Sequence, residues 1–439
     1  MSTLITPSIV GRRSADYTLS GAELRVIVAE ALEPIGPQER VLAIIPDKTR
    51  DDNTHQLFPF AADVLAEIGV NRFDALVAQG THVPMTLEEK LAKVGASRET
   101  LSGEIFDHRW DEPEDLVRIG ELTAERVNEV TAGLLNRSIP LTINRLLSPG
   151  VYDTVLVFGA TVPHEVAGFA GGAKYFFPGV AGPELTHATH WLGALATVEG
   201  VIGRVETPTR RLIEAAADFI TARIISFTSV VTRNDEDELV THALFAGDFR
   251  ESLRRAVAVS KNVHIKYTGR KYRRVVALLD EHYDELWVGG KASYRLGPII
   301  EEGGELIIYA PHLRCISETH GRLIERYGYA PMEVVRELVA QSAELEENLC
   351  VAAHLTQVAY AGRRLPNGKI VPRYHITMAT AIDEATCKRV NLGYLDHQEF
   401  RREAYEGDPN TLIVERAGRD LYLVEPVFGD EVDRRDGVD

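Results

Sequence analysis

The chain has 439 residues, enough for two or three domains of ordinary size. Its 65 acidic residues outnumber its 48 Lys and Arg residues, and the formal net charge is −17. Because a surface that tracks phosphates needs positive charge, we expect no nucleic acid partner. No apolar run approaches the roughly 18 residues that cross a bilayer, and no secretory signal is visible, so we expect no membrane partner and a cytoplasmic location.

Short apolar runs that are typical of strands alternate with helical patterns along the chain. The predicted strands are 41–46, 74–79, 152–159, 273–279, 284–289 and 304–310. The predicted helices are 21–33, 56–69, 86–95, 207–220, 247–260, 316–328 and 331–345. The strands are rich in Val, Ile and Leu and mostly not alternating, which suits burial on both faces. This order predicts an α/β protein with mainly parallel sheets.

The stretch 261–272 is basic and polar and has no clear periodicity, so we interpret it as a linker. The chain after it then forms a second α/β unit. Two such units usually hold a ligand in the cleft between them, at the carboxyl ends of strands.

Four polar segments are candidates for that cleft, and three of them follow predicted strands. They are 46–50 (PDKTR), 79–82 (QGTH), 163–174 (PHEVAGFAGGAK) and 186–193 (THATHWLG). Loops at the carboxyl ends of strands commonly carry the reacting groups of α/β enzymes.

The third segment is rich in glycine. Gly168, Gly171 and Gly172 allow the backbone to approach an anion closely, and Lys174 follows them. The segment is not a Walker A motif, since no Ser or Thr follows the lysine. A tight turn with a surface lysine is the alternative interpretation.

Histidines are the next candidates. His82 and His164 follow separate predicted strands, whereas His187 and His190 are three residues apart, a spacing that puts both on one helix face. The pair could bind a metal, or only one of the two could be functional. No third ligand stands at a telling spacing, so the sequence gives little support to a zinc site.

The remaining candidate site residues are charged or hydroxyl-bearing side chains. Asp47, Thr49 and Arg50 offer a carboxylate, a hydroxyl and a forked guanidinium that suit a bound carboxylate or phosphate, with a surface ion pair as the alternative. Further along, three residues follow the predicted strand 284–289 and could face the cleft: Lys291, Tyr294 and Arg295. A polar loop explains these three equally well.

Taken together, the segments resemble the lactate racemase family, whose members use a nickel-pincer nucleotide. The matching pattern is D-x-T-R at 47–50, G-T-H-x-P at 80–84, P-H-x-x-x-G-x-x-G-G-x-K at 163–174 and P-G-V at 178–180. The order, spacing and strand context agree through roughly residues 40–200, and the second half matches more loosely. The resemblance implies two α/β domains with an active-site cleft between them. The first would be 1–262, to which the tail from about 410–439 returns, and the second 263–409.

The resemblance also implies a cofactor and roles for the candidate residues. Lys174 would carry a pyridinium-3-thioamide-5-thiocarboxylate mononucleotide covalently, with nickel in its sulfur–carbon–sulfur pincer. His190, 16 residues after Lys174, would be the fourth nickel ligand in preference to His187. His82 and His164 would be the acid/base pair. The remaining candidates would bind cofactor (Asp47, Thr49, Gly171, Gly172) or substrate (Arg50, Lys291, Tyr294, Arg295).

The chemistry of 2-hydroxy acids agrees with such a site. A histidine of pKa about 6.5 cannot remove the weakly acidic α-proton alone. Transfer of the α-hydrogen as hydride, while a histidine takes the hydroxyl proton, avoids a carbanion. Inversion needs a base on each side, hence two histidines that titrate near neutral pH. The expected partners are therefore a small 2-hydroxy acid and the proteins that make the cofactor, and a homo-oligomer is compatible with the sequence.

One departure concerns the substrate. The lactate enzyme is expected to have Tyr-Gln followed closely by Lys, whereas here Tyr294 is followed by Arg295, Leu296, Gly297 and Pro298. Arg295 or Lys291 would replace that lysine, which indicates a larger or more polar 2-hydroxy acid than lactate. Two other classes stay open: a metal-dependent hydrolase or lyase that uses His187, His190 and a carboxylate, and a non-catalytic protein that binds an anion or nucleotide.

Overall fold

The computed structural model describes residues 10–13, 17–359 and 362–426. The first half of the chain forms one sheet, the first sheet. From edge to edge its strands are Val10–Arg13, Leu239–Gly247, Arg223–Arg233, Thr154–Ala160, Arg40–Pro46, Arg72–Ala78 and Ile105–Asp107. Leu239–Gly247 is antiparallel to both of its neighbours, whereas the strands from Arg223–Arg233 onward pair in parallel.

The second half forms another sheet, the second sheet, in which every pairing is parallel. Its strands in order are Gly393–Tyr394, His375–Thr380, Ile300–Ala310, Tyr272–Leu278 and Thr411–Val414. The α/β class with mainly parallel sheets is therefore confirmed. The expected return of the tail from about residue 410 is wrong for Thr411–Val414, because this strand pairs with Tyr272–Leu278. The chain leaves the second sheet only afterwards, when Leu421–Leu423 pairs with Ile265–Tyr267.

The central strands are apolar without alternation because both faces of the first sheet are covered. In the strand Arg40–Pro46, Val41, Ala43 and Ile45 pack into one core together with the helix Gly21–Leu32. Leu42 and Ile44 point to the other face, into the large core that continues into the second half of the chain. Successive side chains of a strand alternate between faces, so two cores require an unbroken apolar run.

Helices cover the sheets. The helices are Gly21–Leu32, Thr54–Ile68, Leu87–Val94, Ala124–Val130, Pro183–Leu195, Val198–Val201, Pro208–Ala217, Phe249–His264, Leu286–Gly289, Lys291–Leu296, Gly321–Tyr327, Met332–Gln341, Ala343–Glu347, Leu349–Ala359 and Glu384–Arg389. Two of these helices begin at capping boxes, in which Ser20 pairs with Glu23 and Thr86 pairs with Glu89. None of the described helices is long and apolar enough to cross a membrane.

Smaller pairs of strands complete the fold. They are Leu116–Leu122 with Ile139–Asn144, Pro163–His164 with Gly168–Phe169, and Gly362–Arg364 with Ile370–Pro372. Short 3-10 helices are Pro113–Asp115, Arg145–Leu147, Gly172–Tyr175, Gly297–Ile299 and Arg402–Ala404.

Two local predictions are wrong. The run 284–289 is not a strand, because Tyr272–Leu278 and Ile300–Ala310 pair directly and leave no position between them. The run forms the helix Leu286–Gly289 instead, and six residues, of which only Leu286, Trp287 and Val288 have apolar side chains, cannot distinguish the two structures by periodicity. The stretch 261–272 does connect the two sheets, but it is not an irregular linker, since it holds the end of the helix Phe249–His264 and the strand Ile265–Tyr267.

The order of the first sheet brings the motifs together. The strand Arg40–Pro46 lies between Thr154–Ala160 and Arg72–Ala78, and all three run parallel. The segments that begin at Asp47, Gln79 and Pro163 therefore leave the same edge of the sheet.

Candidate active site

Two adjoining cavities lie at this edge, and residues from both halves of the chain line each of them. The larger cavity has a volume of about 620 Å³ and the smaller about 110 Å³. Five polar side chains line both: Arg50, His164, Glu165, Lys174 and Lys291. The expected cleft between the two α/β units is thus present.

Asp47 and His82 form a hydrogen-bonded pair on the smaller cavity. The Oδ2 atom of Asp47 lies 2.9 Å from Nδ1 of His82. The other carboxylate oxygen accepts hydrogen bonds from the backbone N–H and the hydroxyl of Thr49, at 2.7 and 2.5 Å. Burial alone would raise the pKa of Asp47, but His82, Arg50 and Thr49 together hold it well below its usual range. The ionised carboxylate fixes the proton of His82 on Nδ1 and leaves Nε2 as an acceptor.

His164 has the opposite arrangement. The backbone N–H of Val166 donates to Nδ1 of His164 at 3.1 Å, so the neutral ring carries its proton on Nε2. Glu165 Oε2 lies 3.8 Å from the same Nδ1 atom. Burial, and then the charges of Lys174 and Arg50, lower the pKa of His164 well below its ordinary value. The structure thus presents an acceptor at His82 and a donor at His164.

Lys174 lies in the 3-10 helix Gly172–Tyr175, two residues after a pair of glycines with positive φ, Gly171 at 100° and Gly172 at 60°. A Cβ atom on Gly171 would lie 2.8 Å from the Thr161 hydroxyl, so the close approach of the backbone here requires glycine. Burial, and then the charge of Arg50, lower the pKa of the Lys174 amine to about 7. Near neutral pH much of this amine is unprotonated and can act as a nucleophile.

Lys291, from the second half of the chain, lines both cavities together with Lys174. Burial, and then Arg50, lower its pKa to about 7 as well. Arg50 follows Asp47 at the end of the strand Arg40–Pro46 and also lines both cavities. Three cationic side chains therefore surround the space that the two cavities share.

His190 and His187 both lie on the helix Pro183–Leu195, but their surroundings differ. Nδ1 of His190 donates to the carbonyl of Thr186 at 2.7 Å, which leaves Nε2 as a lone-pair donor in the smaller cavity. Burial lowers the pKa of His190 to about 4, so the ring is neutral. His187 instead accepts a hydrogen bond from the backbone N–H of Cys350 at 3.4 Å and packs edge-on against Trp110.

Tyr294 and Arg295 lie on the helix Lys291–Leu296 but on different cavities. Tyr294 lines the smaller one and Arg295 the larger one. Arg295 donates from Nη2 to the carbonyl of Pro163 at 3.1 Å. Its buried Nε and Nη1 atoms have no hydrogen-bond partner among the residues that the structure describes. Such atoms suit an anionic ligand in the larger cavity.

Sequence reasoning missed three residues on the second-half side of the smaller cavity: Trp287, His354 and Gln357. Trp287 lies in the run that we interpreted as a strand. His354 and Gln357 lie on the helix Leu349–Ala359, which no prediction covered. The available signal was a polar pair, three residues apart, within an otherwise apolar helix.

Comparisons with known proteins agree with this fold and site. The family model of the lactate racemase N-terminal domain matches residues 24–201. A crystal structure of a protein from Thermotoga maritima is similar at 32% identity and a TM-score of 0.86, over 94% of this chain and 99% of that chain. The lactate racemase apoprotein from Thermoanaerobacterium thermosaccharolyticum shares the fold, at 18% identity and a TM-score of 0.66 over 92% of this chain and 93% of that one. A comparison with curated proteins finds no match.

The fold and site define an α/β protein with a lysine- and histidine-lined site between two largely parallel sheets. This chain belongs to the lactate racemase family.

Proposed function

We propose that the protein is an isomerase that racemises or epimerises a 2-hydroxy acid, with a nickel-pincer nucleotide attached to Lys174. The observation that carries the proposal is the convergence of Lys174, His190, His82 and His164 on one small cavity. Membership of the lactate racemase family supports it, since that family uses a nickel-based cofactor.

The residues present fit such a cofactor. Lys174 offers a nucleophilic amine next to two closely packed glycines. Arg295, whose Nε and Nη1 atoms lack a partner in the described chain, lines the larger cavity beside it. His190 offers one imidazole nitrogen. Among the described residues, no three His, Cys, Asp or Glu side chains form a group that could hold a metal ion, so a metal at His190 takes its other donors from a bound group.

The chain's own residues then have distinct tasks. A nickel-pincer nucleotide held by Lys174 and His190 would supply a reversible hydride acceptor for the α-hydrogen of the substrate. His82 takes the hydroxyl proton through Nε2, and Asp47 stabilises the imidazolium that results. His164, with its proton on Nε2, donates a hydrogen bond to the same oxygen from another side of the cavity.

Attachment of a cofactor to Lys174 would also change the pKa of His164. Apart from burial, the charge of Lys174 contributes most to the low pKa of this histidine. A thioamide on Lys174 is neutral, so attachment removes that charge and raises the proton affinity of His164. For one enantiomer, His82 accepts the hydroxyl proton on Nε2. For the other, His164 accepts it on Nε2 once its own proton has moved to Nδ1, which requires the Val166 N–H to release that nitrogen.

Cationic groups hold the substrate. Arg50 suits the carboxylate because its planar fork can donate two parallel hydrogen bonds. Lys291 reaches the same shared space from the second half of the chain. Both groups repel other cations, so an anionic substrate also relieves their mutual repulsion.

The proposal is tested by intact mass and metal analysis after co-expression with cofactor-synthesis proteins. We expect a covalent adduct, about one nickel per chain, and interconversion of the enantiomers of a 2-hydroxy acid. The Lys174→Ala variant should lose adduct and nickel together. A persistent adduct in this variant would contradict the attachment site.

The matched pair of histidine variants tests the metal ligand in the same preparation. His190→Ala should keep the adduct but lose nickel, because the protein's imidazole donor to the metal is removed. His187→Ala should keep both. Equal nickel contents in the two variants, or loss only in His187→Ala, would reverse the assignment.

A further inference from the structure

The helix Leu349–Ala359 carries two polar side chains on the smaller cavity, although every residue of this helix is buried. His354 is 5% exposed and Gln357 is 4% exposed. They are three residues apart, so they lie on the same side of the helix. The proposed proton transfers and the metal site use neither of them.

His354 is fixed as a hydrogen-bond acceptor. Its Nε2 atom lies 3.1 Å from the carbonyl oxygen of Trp287, which can only accept, so Nε2 carries the proton. The ring also stacks on Trp287, with centroids 4.2 Å apart and planes 17° from parallel. Its other nitrogen, Nδ1, is buried and has no hydrogen-bond partner in the described part of the chain.

Gln357 supplies the complementary group. Its amide nitrogen, Nε2, is buried and likewise lacks a partner among residues 17–359 and 362–426. A buried polar atom without a hydrogen bond is destabilising, and native proteins keep few of them. Two such atoms from neighbouring positions of one helix therefore indicate a ligand group that both donates and accepts.

A hydroxyl group meets this requirement, because its hydrogen can bond to Nδ1 of His354 while its oxygen accepts from Gln357. A carboxylate has no hydrogen for the His354 lone pair, and a methyl group leaves both atoms unpaired. We propose that the substrate is a 2-hydroxy acid with at least one further hydroxyl group, such as glycerate or a longer aldonic acid. This inference rests on the proposed function, which it narrows to a substrate class.

Lactate and glycerate form a matched pair for the test, since they differ only by a hydroxyl on C3. We expect the cofactor-loaded protein to prefer glycerate, or a longer aldonate, over lactate by about tenfold or more in kcat/KM. Calorimetric titration of the protein with each acid should show the same preference in Kd, independently of turnover.

Variants identify the groups responsible. Gln357→Leu and His354→Phe should each reduce the preference to within about threefold by weakening the binding of the hydroxylated acids. Thr356→Val alters the neighbouring buried position of the same helix and should keep the preference. Circular dichroism and melting temperature identify any variant that does not fold. If Gln357→Leu does not fold, Gln357→Glu is used in its place, because it removes the amide donor but keeps the shape of the side chain.

The outcomes separate the two proposals. Equal or better use of lactate, or a preference for the dicarboxylate malate, overturns the substrate class and leaves the racemase proposal standing. A binding preference for hydroxylated acids without any interconversion overturns the racemase proposal and supports the recognition site. A preference that survives in both Gln357→Leu and His354→Phe overturns the assignment to this helix.

Discussion

The two sides of the smaller cavity differ in how their polar groups are bonded. On the first-half side, His82, His164 and His190 each have one ring nitrogen engaged, by Asp47, Val166 and Thr186 respectively. On the second-half side, the carbonyl of Trp287 likewise engages one ring nitrogen of His354. The other ring nitrogen of His354 and the amide nitrogen of Gln357 are, however, buried without a partner in the described chain, whereas no ring nitrogen of the three first-half histidines is.

This difference indicates a division of tasks. Groups that react must hold a defined tautomer before substrate arrives, and hydrogen bonds from the protein provide it. Groups that select a substrate must leave their hydrogen bonds for that substrate, and the unbound protein tolerates the cost. The first half is thus suited to the reaction, and the second half to recognition.

We expect the largest loss of activity when either of the two reacting histidines is removed. His82→Ala and His164→Ala should each lower kcat for interconversion by about 10²–10⁴-fold, because general acid/base groups contribute that much. Adduct mass and nickel content should stay unchanged. His375→Ala, on an exposed position of the second sheet, is the control. Normal racemisation by both single variants would exclude the two-base scheme.

Substitution of Lys291, on the second-half side, is expected to have a smaller effect, which is on stability and its dependence on pH. Its pKa is about 7 in the folded protein against about 10.4 in an unfolded chain, so the folded state binds this proton more weakly. The buried amine therefore lowers stability most below pH 7, and the penalty shrinks as the pH rises toward 10. We expect Lys291→Met to raise the melting temperature of the protein by about 2–5 °C at pH 6 and by less than half of that at pH 9.

The same variant should raise KM more than it lowers kcat, since Lys291 is proposed to bind the carboxylate in ground and transition states alike. Lys369→Met, at an exposed position, should change neither quantity. A melting temperature that falls equally at both pH values would show that Lys291 is a packing residue.

Most of the first-half side could be predicted from the sequence. Asp47, His82 and His164 follow apolar strands, and the carboxyl ends of neighbouring parallel strands share one edge. The choice between His187 and His190 needed more than spacing, because both lie on one helix. It depends on which ring reaches the cavity and which nitrogen the carbonyl of Thr186 occupies.

On the second-half side, Lys291 and Tyr294 could be predicted, but Trp287, His354 and Gln357 could not, for physical reasons. The helix Leu349–Ala359 is buried all round, so it has no amphipathic pattern that would expose His354 and Gln357 as unusual. Their neighbour Trp287 is 67 residues away from His354 along the chain and lies in a run too short to distinguish strand from helix. Tertiary contacts alone bring these residues together.

The central claim is that the histidines move only the hydroxyl proton, while the α-hydrogen leaves and returns as hydride. The most direct test uses a 2-hydroxy acid with deuterium on C2, glycerate or lactate, in ordinary water with the cofactor-loaded protein. The account predicts that the inverted product retains its deuterium on C2. Solvent hydrogen on C2 in every turnover would show that a histidine removes the α-proton, and would contradict the account.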